Sequence, residues 1–328
     1  MGRTGWDVIG PNLFILTFGT LAFVGVIVAI FVLAERSSVK TQEWLRYAVF
    51  LGPAALLLLI GLIYPAIRTL VLSFMDKNSQ NFIGFENYIW AFSTPEILIV
   101  LRNTVIWVFA VPIVSTIIGL AIAYMTDRMK RSAVIKSLIF MPMAISFVGA
   151  SIIWRFVYTY EPNPDKPDIG LMSAVWKAFG ATPPNWLLEA PLNTFLLIVI
   201  MIWIQTGFAM VVLAAAMKNI PDEVVEAAML DGASQWNRFV RVTVPMIRSS
   251  IVVVVTTILI ATLKVFDIVR TMTGGNFQTS VIANEMYTQA FRQLNYGTGS
   301  ALAIILFVAI IPIIWYNIRQ LRLERTEN

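Results

Sequence analysis

The sequence contains no cysteine and no histidine. It therefore has no disulfide, no thiol nucleophile, no imidazole base and no histidine-based metal site, which excludes a Ser-His-Asp hydrolase. Charged residues are also scarce, at 13% of the 328 residues, whereas a soluble domain carries about 25%. So few charges cannot cover a globular surface in water, and we infer that a lipid bilayer surrounds much of the chain.

Hydrophobic residues make up 58% of the chain and occur in runs of about 18 residues or more, long enough to cross a bilayer. We predict spans at 10–33, 47–74, 99–125, 135–158, 192–216, 247–272 and 298–318. Isolated strands cannot satisfy their backbone groups in lipid, so the predicted fold is all-α, an integral membrane protein with about seven transmembrane helices. Pro112 and Pro142 lie within predicted spans and should kink them.

The first run is uncharged from Pro11 to Ala34. It is too long for the apolar region of a signal peptide, and no small-residue cleavage site follows it, so we interpret it as a retained helix.

Lysine and arginine predict the orientation of the spans, because they accumulate in cytoplasmic loops. One alternating set of loops and loop edges carries 14 of these residues and the other set carries 5. The chain should therefore begin outside the cell and end in the cytoplasm. The net charge of +5 thus reflects topology, and we predict no binding of nucleic acid.

The predicted cytoplasmic loop 217–247 is organised differently from a simple connection. Pro221 followed by Asp222 and Glu223 is typical of a helix start, because carboxylates favour the positive end of the helix dipole. Gly232 can end that helix in a left-handed conformation, and Ser234 can cap a second helix over 235–242. From the residues alone, docking to a partner protein and anchoring at the membrane surface are equally good interpretations.

The spacing within this loop resembles the EAA loop of binding-protein-dependent ABC import permeases. That family has Glu-Ala-Ala, three residues, glycine, nine residues and Ile-x-Leu-Pro. The matching residues here are Glu226, Ala227, Ala228, Gly232, Val242, Val244 and Pro245. Valine replaces isoleucine and leucine. The Asp-Gly-Ala-Ser-x-Trp stretch that begins at Asp231 is similar to the carbohydrate-importer branch.

A second stretch, from Val265 to Asn276, resembles the Phe-Asp…Thr-x-Gly-Gly segment of permeases of the maltose and α-glucoside type. The resemblance runs from about Gly52 to the carboxyl terminus. It implies a six-helix permease domain at 47–328 with 217–247 as its coupling loop. Residues 1–46 would then form an extra transmembrane helix and linker, to which the resemblance assigns no role.

The resemblance implies a permease subunit of a bacterial cytoplasmic-membrane importer rather than an enzyme. The chain lacks the Gly-x-x-x-x-Gly-Lys-Ser/Thr phosphate loop, so it would carry no cofactor and no metal. Two separate ATPase subunits would bind ATP and magnesium and would dock at the coupling loop, through the acids Asp222 and Glu223 and the Glu226–Gly232 motif. A second, related permease would complete the pore. An extracytoplasmic binding protein would deliver the sugar, contacting Gly274, Gly275 and Asn276.

Polar and aromatic residues at membrane depth are candidates for contact with the sugar, since they are costly in lipid and match sugar chemistry. They are Trp203, Gln205, Phe208, Thr262, Lys264 and Asp267. The alternative for Lys264 and Asp267 is a mutual pair at i and i+3, and for Trp203 it is packing between helices. Arg155 and Arg270, near the outer ends of spans, are explained by snorkelling alone.

Three other functions compete with a sugar permease. An ABC permease for an amino acid, phosphate or polyamine should carry more unpaired charge in its spans. An ion-coupled secondary transporter should show inverted repeats and several acids at the midplane, whereas Asp267 alone approaches that position. An intramembrane protease of the aspartyl type requires more acids in the spans than this sequence has.

Overall fold

The computed structural model describes most of the chain outside the amino-terminal segment. The described residues are 13, 17–21, 24–26, 28, 29, 32, 39–127, 129, 131–163 and 169–327. The chain divides into two compact units, residues 1–69 and 70–328. Within the described part the structure is helical, and the one pairing of extended residues is an isolated bridge between Met75 and Phe82.

From Val39 onward, the described residues form fifteen α-helices. They are α1 (Val39–Leu58), α2 (Tyr64–Leu72), α3 (Glu86–Ser93), α4 (Pro95–Thr126), α5 (Ser132–Phe140), α6 (Phe147–Val157), α7 (Leu171–Ala178), α8 (Leu192–Lys218), α9 (Asp222–Leu230), α10 (Gln235–Arg238), α11 (Val244–Met246), α12 (Arg248–Leu263), α13 (Asp267–Met272), α14 (Ile282–Tyr287) and α15 (Tyr296–Glu327). Turns of π-helix at Leu59–Ile63, Phe239–Thr243 and Thr288–Arg292 and a 3₁₀ turn at Met141–Ala144 link neighbouring helices.

Four helices of the described part are long and apolar enough to cross a membrane. They are Phe50–Leu72, Pro95–Thr126, Leu192–Lys218 and Tyr296–Tyr316. Two bent helix pairs raise the number to six if each pair is one span. Half of the predicted span at 10–33 falls outside the described residues, and the seventh helix and the orientation of the termini stay predictions.

Two predicted spans are not single helices. The span predicted at 135–158 bends by 104° between Ala144 and Phe147, after a 3₁₀ turn that contains Pro142. The bend is stabilised where Ser146 caps α6, since its hydroxyl accepts the Gly149 N–H at 3.0 Å. Pro142 therefore breaks its span as expected, but more sharply than a kink.

The second broken span is the one predicted at 247–272. Its helix α12 ends at Leu263 and a new helix, α13, begins at Asp267. Before α12 the chain bends by 71° from the segment Gln235–Met246. The sequence has no proline or glycine at 264–266. No helix-breaking residue therefore predicted this break.

Helix α8 is central to the larger unit, with 67% of its apolar window buried, against 33% for α4. Leu197, Met201 and Leu213 of α8 are fully buried in one core with Trp107 of α4 and Ile258 of α12. An uninterrupted apolar helix buried on most sides belongs at the centre of a bundle. Helix α8 therefore supports the segments that follow and precede it, at both of its ends.

The segment between α2 and α3 is a compact turn built on Asp76. Its carboxylate accepts the Gln80 N–H at 2.8 Å and the Asn81 side-chain amide at 2.7 Å. These hydrogen bonds, the one from Gln80 first, hold the pKa of Asp76 below its ordinary value of 3.8, because they favour the charged form.

Candidate coupling loop and translocation site

The coupling loop, residues 217–247, adopts the helix–turn–helix predicted from sequence. Pro221 precedes α9 as its capping residue instead of occupying its first position. The loop closes α9 with two hydrogen bonds, from Gly232 N–H to the Met229 carbonyl at 3.0 Å and from Ala233 N–H to the Ala228 carbonyl at 3.1 Å. This is a Schellman motif, and it requires the positive φ of 74° at Gly232, which glycine adopts without strain.

The second part of the loop starts at Ser234, whose hydroxyl accepts the Asn237 N–H at 3.2 Å. The predicted helix over 235–242 is present as α10 followed by a turn of π-helix. Tyr124, at the end of α4, ties it to the bundle. Its hydroxyl donates to the Gln235 carbonyl at 3.3 Å, and its ring lies 4.4 Å from that of Phe239.

Helix α9 has no buried residue. Leu230 and Trp236 are exposed by 89% and 69%, and Asp222, Glu223 and Glu226 are exposed as well. Apolar side chains with acids beside them, ordered by internal caps but covered by nothing in the described part of this chain, form a surface suited to a protein partner.

A cavity of 570 Å³ separates the coupling loop from the ends of α4 and α8. Its walls include Asp127, the residue after α4, Met217 of α8 and Arg238 of α10. Tyr124 therefore holds the coupling loop against the bundle at one point. Next to this contact the cavity lies between the loop and the helix ends, and it leaves room for the loop to shift relative to the spans.

In the middle of α8, Trp203 packs edge-to-face against Trp154 of α6, with ring centroids 5.7 Å apart. Gln205 has only 8% of its surface exposed, and its amide atoms are not among the fully covered polar atoms that lack a hydrogen bond, so the amide still reaches solvent-accessible space. Phe208 is half-buried against the main core. The structure thus places these three predicted residues within two turns of the central helix.

The predicted residues of the second region are placed differently. Thr262 is fully buried, and its hydroxyl donates to the Ile258 carbonyl of its own helix at 2.7 Å. Lys264 is exposed in the break after α12, and Asp267 is half-buried in the first turn of α13. Both lie in the described part of the chain, yet no ion pair joins them, so the alternative of a mutual pair is absent from this conformation.

At the opposite end of the bundle, Gly274 and Gly275 have φ values of 69° and 88° and are half-buried, whereas Asn276 is exposed. The loop that carries them, residues 273–280, is anchored from two helices. Asn103 of α4 donates to the Gln278 carbonyl at 2.6 Å, and Asn193 of α8 donates to the Phe277 carbonyl at 2.8 Å.

Sequence reasoning overlooked these two anchoring asparagines. A signal was available, because an asparagine in an apolar span is costly unless it is bonded. Their partners, however, lie more than 80 residues away, and no local pattern identifies them.

The permease family model described as "Binding-protein-dependent transport system inner membrane component" matches residues 95–325. The chain belongs to this family. The match covers the bundle and the coupling loop, so the resemblance of the EAA spacing is confirmed.

The chain is 48% identical to the osmoprotective compounds uptake permease protein GgtC of Synechocystis sp., over 84% of this chain and 98% of GgtC. It is 45% identical to the alpha-glucoside transport system permease protein AglF of Rhizobium meliloti, over 87% of this chain and 84% of AglF. This permease is therefore a multi-pass membrane protein of the carbohydrate ABC importer type, a transport component rather than an enzyme.

A solved structure shares the fold of this permease. A chain of a bacterial alginate ABC transporter, solved in complex with an alginate pentasaccharide-bound periplasmic protein, superposes with a TM-score of 0.72. The alignment covers 84% of this permease and 93% of that chain at 22% identity.

Proposed function

We propose that this permease forms half of the pore of an ATP-driven importer for a di- or oligosaccharide of the α-glucoside type. The proposal places it in the bacterial cytoplasmic membrane, with its amino terminus outside and the coupling loop in the cytoplasm. The relationship to AglF, at 45% identity over 87% of the chain, supports the choice of sugar. The observation that carries the proposal is the solvent-accessible amide of Gln205, which lies beside Trp203 and Phe208 in the middle of α8.

A sugar hydroxyl, which both donates and accepts, would satisfy the amide of Gln205. Trp203 and Phe208 supply the apolar surface on which the carbon face of a sugar packs. Thr262 would join this site only after the helices separate, because its hydroxyl is fully buried here. Lys264 and Asp267 would line the same path at the broken end of the span.

The coupling loop would connect this pore to two ATPase subunits, which would bind ATP and magnesium on behalf of the complex. The exposed apolar residues Leu230 and Trp236 would supply the buried core of that interface. The acids Asp222, Glu223 and Glu226 would pair with cations at its rim. Closure of the ATPases would move the loop into the cavity beneath it, and a second permease would complete the pore.

The outer loop would face a sugar-loaded binding protein, with Gly274, Gly275 and Asn276 in the contact. The alginate transporter that shares this fold was solved with such a protein. A loop anchored at both of its flanks loses little conformational freedom on binding, which favours affinity.

A second candidate cargo is an osmoprotective compound, because GgtC is 48% identical to this permease. The two candidates agree on a small solute without a strong net charge. They differ in whether the solute must present sugar hydroxyls to Gln205, and a comparison of cargoes separates them.

The test is uptake by proteoliposomes that contain the permease with its partner permease, ATPases and binding protein. Maltose is compared with glycine betaine. We expect ATP-dependent uptake of a disaccharide, reduced at least tenfold by Gln205→Leu and partly restored by Gln205→Asn. Each lost sugar hydrogen bond is worth about 1 kcal/mol or more.

Thr206→Val is the matched control, because Thr206 neighbours Gln205 and its hydroxyl bonds within its own helix, to the Ile202 carbonyl at 2.7 Å. Wild-type uptake of betaine but not of sugars would favour the second candidate. Solute movement without ATP would refute the importer itself.

A further inference from the structure

Two arginines line one cavity at the end of the bundle opposite to the coupling loop. The cavity measures 360 Å³. Arg155, in the last turn of α6, and Arg270, in the last turn of α13, lie in its wall with Thr273, Gly274 and Leu188. These helices are the outer pieces of the two broken spans, so the breaks bring together two charges from distant parts of the sequence.

Neither guanidinium is neutralised. Among the described residues, no carboxylate forms an ion pair with Arg155 or Arg270, and the described lining of the cavity contains no acid. Arg155 is exposed and Arg270 is half-buried, and two like charges that line one cavity are stabilised by an anion bound there. Snorkelling, which leads a cation outward into water, does not explain why both line the same cavity.

Arg270 is held in place by an aromatic stack. Its guanidinium carbon lies 4.9 Å from the ring centroid of Tyr287. That ring is packed between Phe266 at 5.1 Å and Phe291 at 5.3 Å. Stacking uses the face of a guanidinium and leaves its N–H edge available for a planar acceptor.

The rim of the cavity is also rigid. Asn193, a fully buried residue at the start of α8, donates to the Leu187 carbonyl at 3.3 Å and to the Phe277 carbonyl at 2.8 Å. A single amide thus ties together two segments of the wall, one before α8 and one after α13. A preformed cationic pocket pays little ordering entropy when it binds a ligand.

The position of the cavity indicates which ligand can reach it. Helix α8 has 27 residues and is about 40 Å long, so Leu188 at its start is separated from the coupling loop by roughly a bilayer. The rim at Leu188 and Gly274 belongs to connecting segments rather than to the sides of the long apolar spans. A macromolecule that covers this end of the bundle meets the two arginines directly.

We propose that Arg155 and Arg270 bind the carboxylate of an aspartate or glutamate side chain on the sugar-loaded binding protein. This inference rests on the proposed importer function and specifies the chemistry of its docking site. A carboxylate is planar and accepts paired N–H bonds from arginine in a fixed geometry. The contact would set affinity for the docked protein and leave the sugar path through α8 unchanged.

The experiment measures ATP hydrolysis by the complete transporter in nanodiscs of phosphatidylcholine, titrated with sugar-loaded binding protein at several KCl concentrations. We expect Arg155→Gln plus Arg270→Gln to raise the half-saturating concentration of binding protein at least tenfold, with the maximal rate retained. The single variants should lie between. The dependence of half-saturation on salt should be flatter in the double variant, because the attraction that salt screens has been removed.

Arg102→Gln is the matched control, since Arg102 is an exposed arginine of α4 that does not line the cavity, and it should titrate like the wild type. A double variant with unchanged half-saturation and salt dependence overturns the pocket while leaving the importer intact. Wild-type transporter that no binding protein stimulates refutes the importer itself. A defect that appears only when the nanodiscs contain phosphatidylglycerol assigns the pocket to a lipid phosphate and overturns the proposal.

Discussion

At Gly119, α4 approaches α8 closely, and replacing this glycine with alanine tests the packing of the bundle. A methyl group built at Gly119 would lie 2.6 Å from the Ala209 Cβ atom and 2.8 Å from the Met210 backbone nitrogen. Neither neighbour can rotate away, because one is a Cβ atom and the other is backbone. The helices themselves must move apart.

The cost follows from that movement. Carbon atoms pack best at about 3.5–4.0 Å, so the new methyl group requires a separation of roughly 1 Å. A buried side chain makes about 50 contacts of ~0.15 kcal/mol, and a gap of this size forfeits about a third of each. The loss is about 2 kcal/mol, within the range of ~1–3 kcal/mol for overpacked cores. Alanine's better helix propensity offsets roughly 0.5–1 kcal/mol.

We therefore expect Gly119→Ala to lower stability by about 1–2 kcal/mol, which corresponds to roughly 3–6 °C in melting temperature. The assay is thermal unfolding of the detergent-purified permease, followed by tryptophan fluorescence. Gly52→Ala in α1 is the control, since no atom lies within 4 Å of a methyl group built there, and it should not be destabilised. Equal melting of the Gly119→Ala variant and the wild type would refute the argument from close packing.

Three further predictions concern the loops. Gly232→Ala forces a left-handed residue at a cost of about 1–2 kcal/mol and should weaken ATPase co-purification. Gly180→Ala carries the same strain, at a φ of 75°, but lies in the outer loops and should leave ATPase binding intact. Asn193→Ala removes the donor to the Leu187 and Phe277 carbonyls and should raise the rate of hydrogen exchange at 273–280. An exchange rate equal to that of the wild type would contradict this prediction. The pKa of Asp76 is lower in the folded protein than its ordinary value of 3.8. The ionised carboxylate therefore stabilises the turn fully above pH 3.8, and this stabilisation is lost as the pH falls through the pKa of the folded state. Hydrogen exchange of the turn should show this dependence, and Asp76→Asn should abolish it.

The features that sequence predicted well depend on neighbours in the chain. The helix termini around Gly232 and Ser234 follow from hydrogen bonds between residues three to five positions apart. The membrane-spanning character of α4 and α8 follows from their own apolar composition, since a bilayer selects segments by length and hydrophobicity. Family membership followed from the same local order, because the EAA spacing lies within a single loop.

Tertiary structure decided what depends on distant partners. The break at 264–266 has no proline or glycine to announce it, and the burial of Thr262 depends on helices elsewhere in the sequence. Gln205 lies beside Thr206 in an apolar run, and how far its amide is covered depends on the helices that surround α8. Arg155 and Arg270 are 115 positions apart and would each be read as snorkelling. Folding places them in one cavity, because both spans break before the short helices that carry these arginines and one asparagine holds the rim.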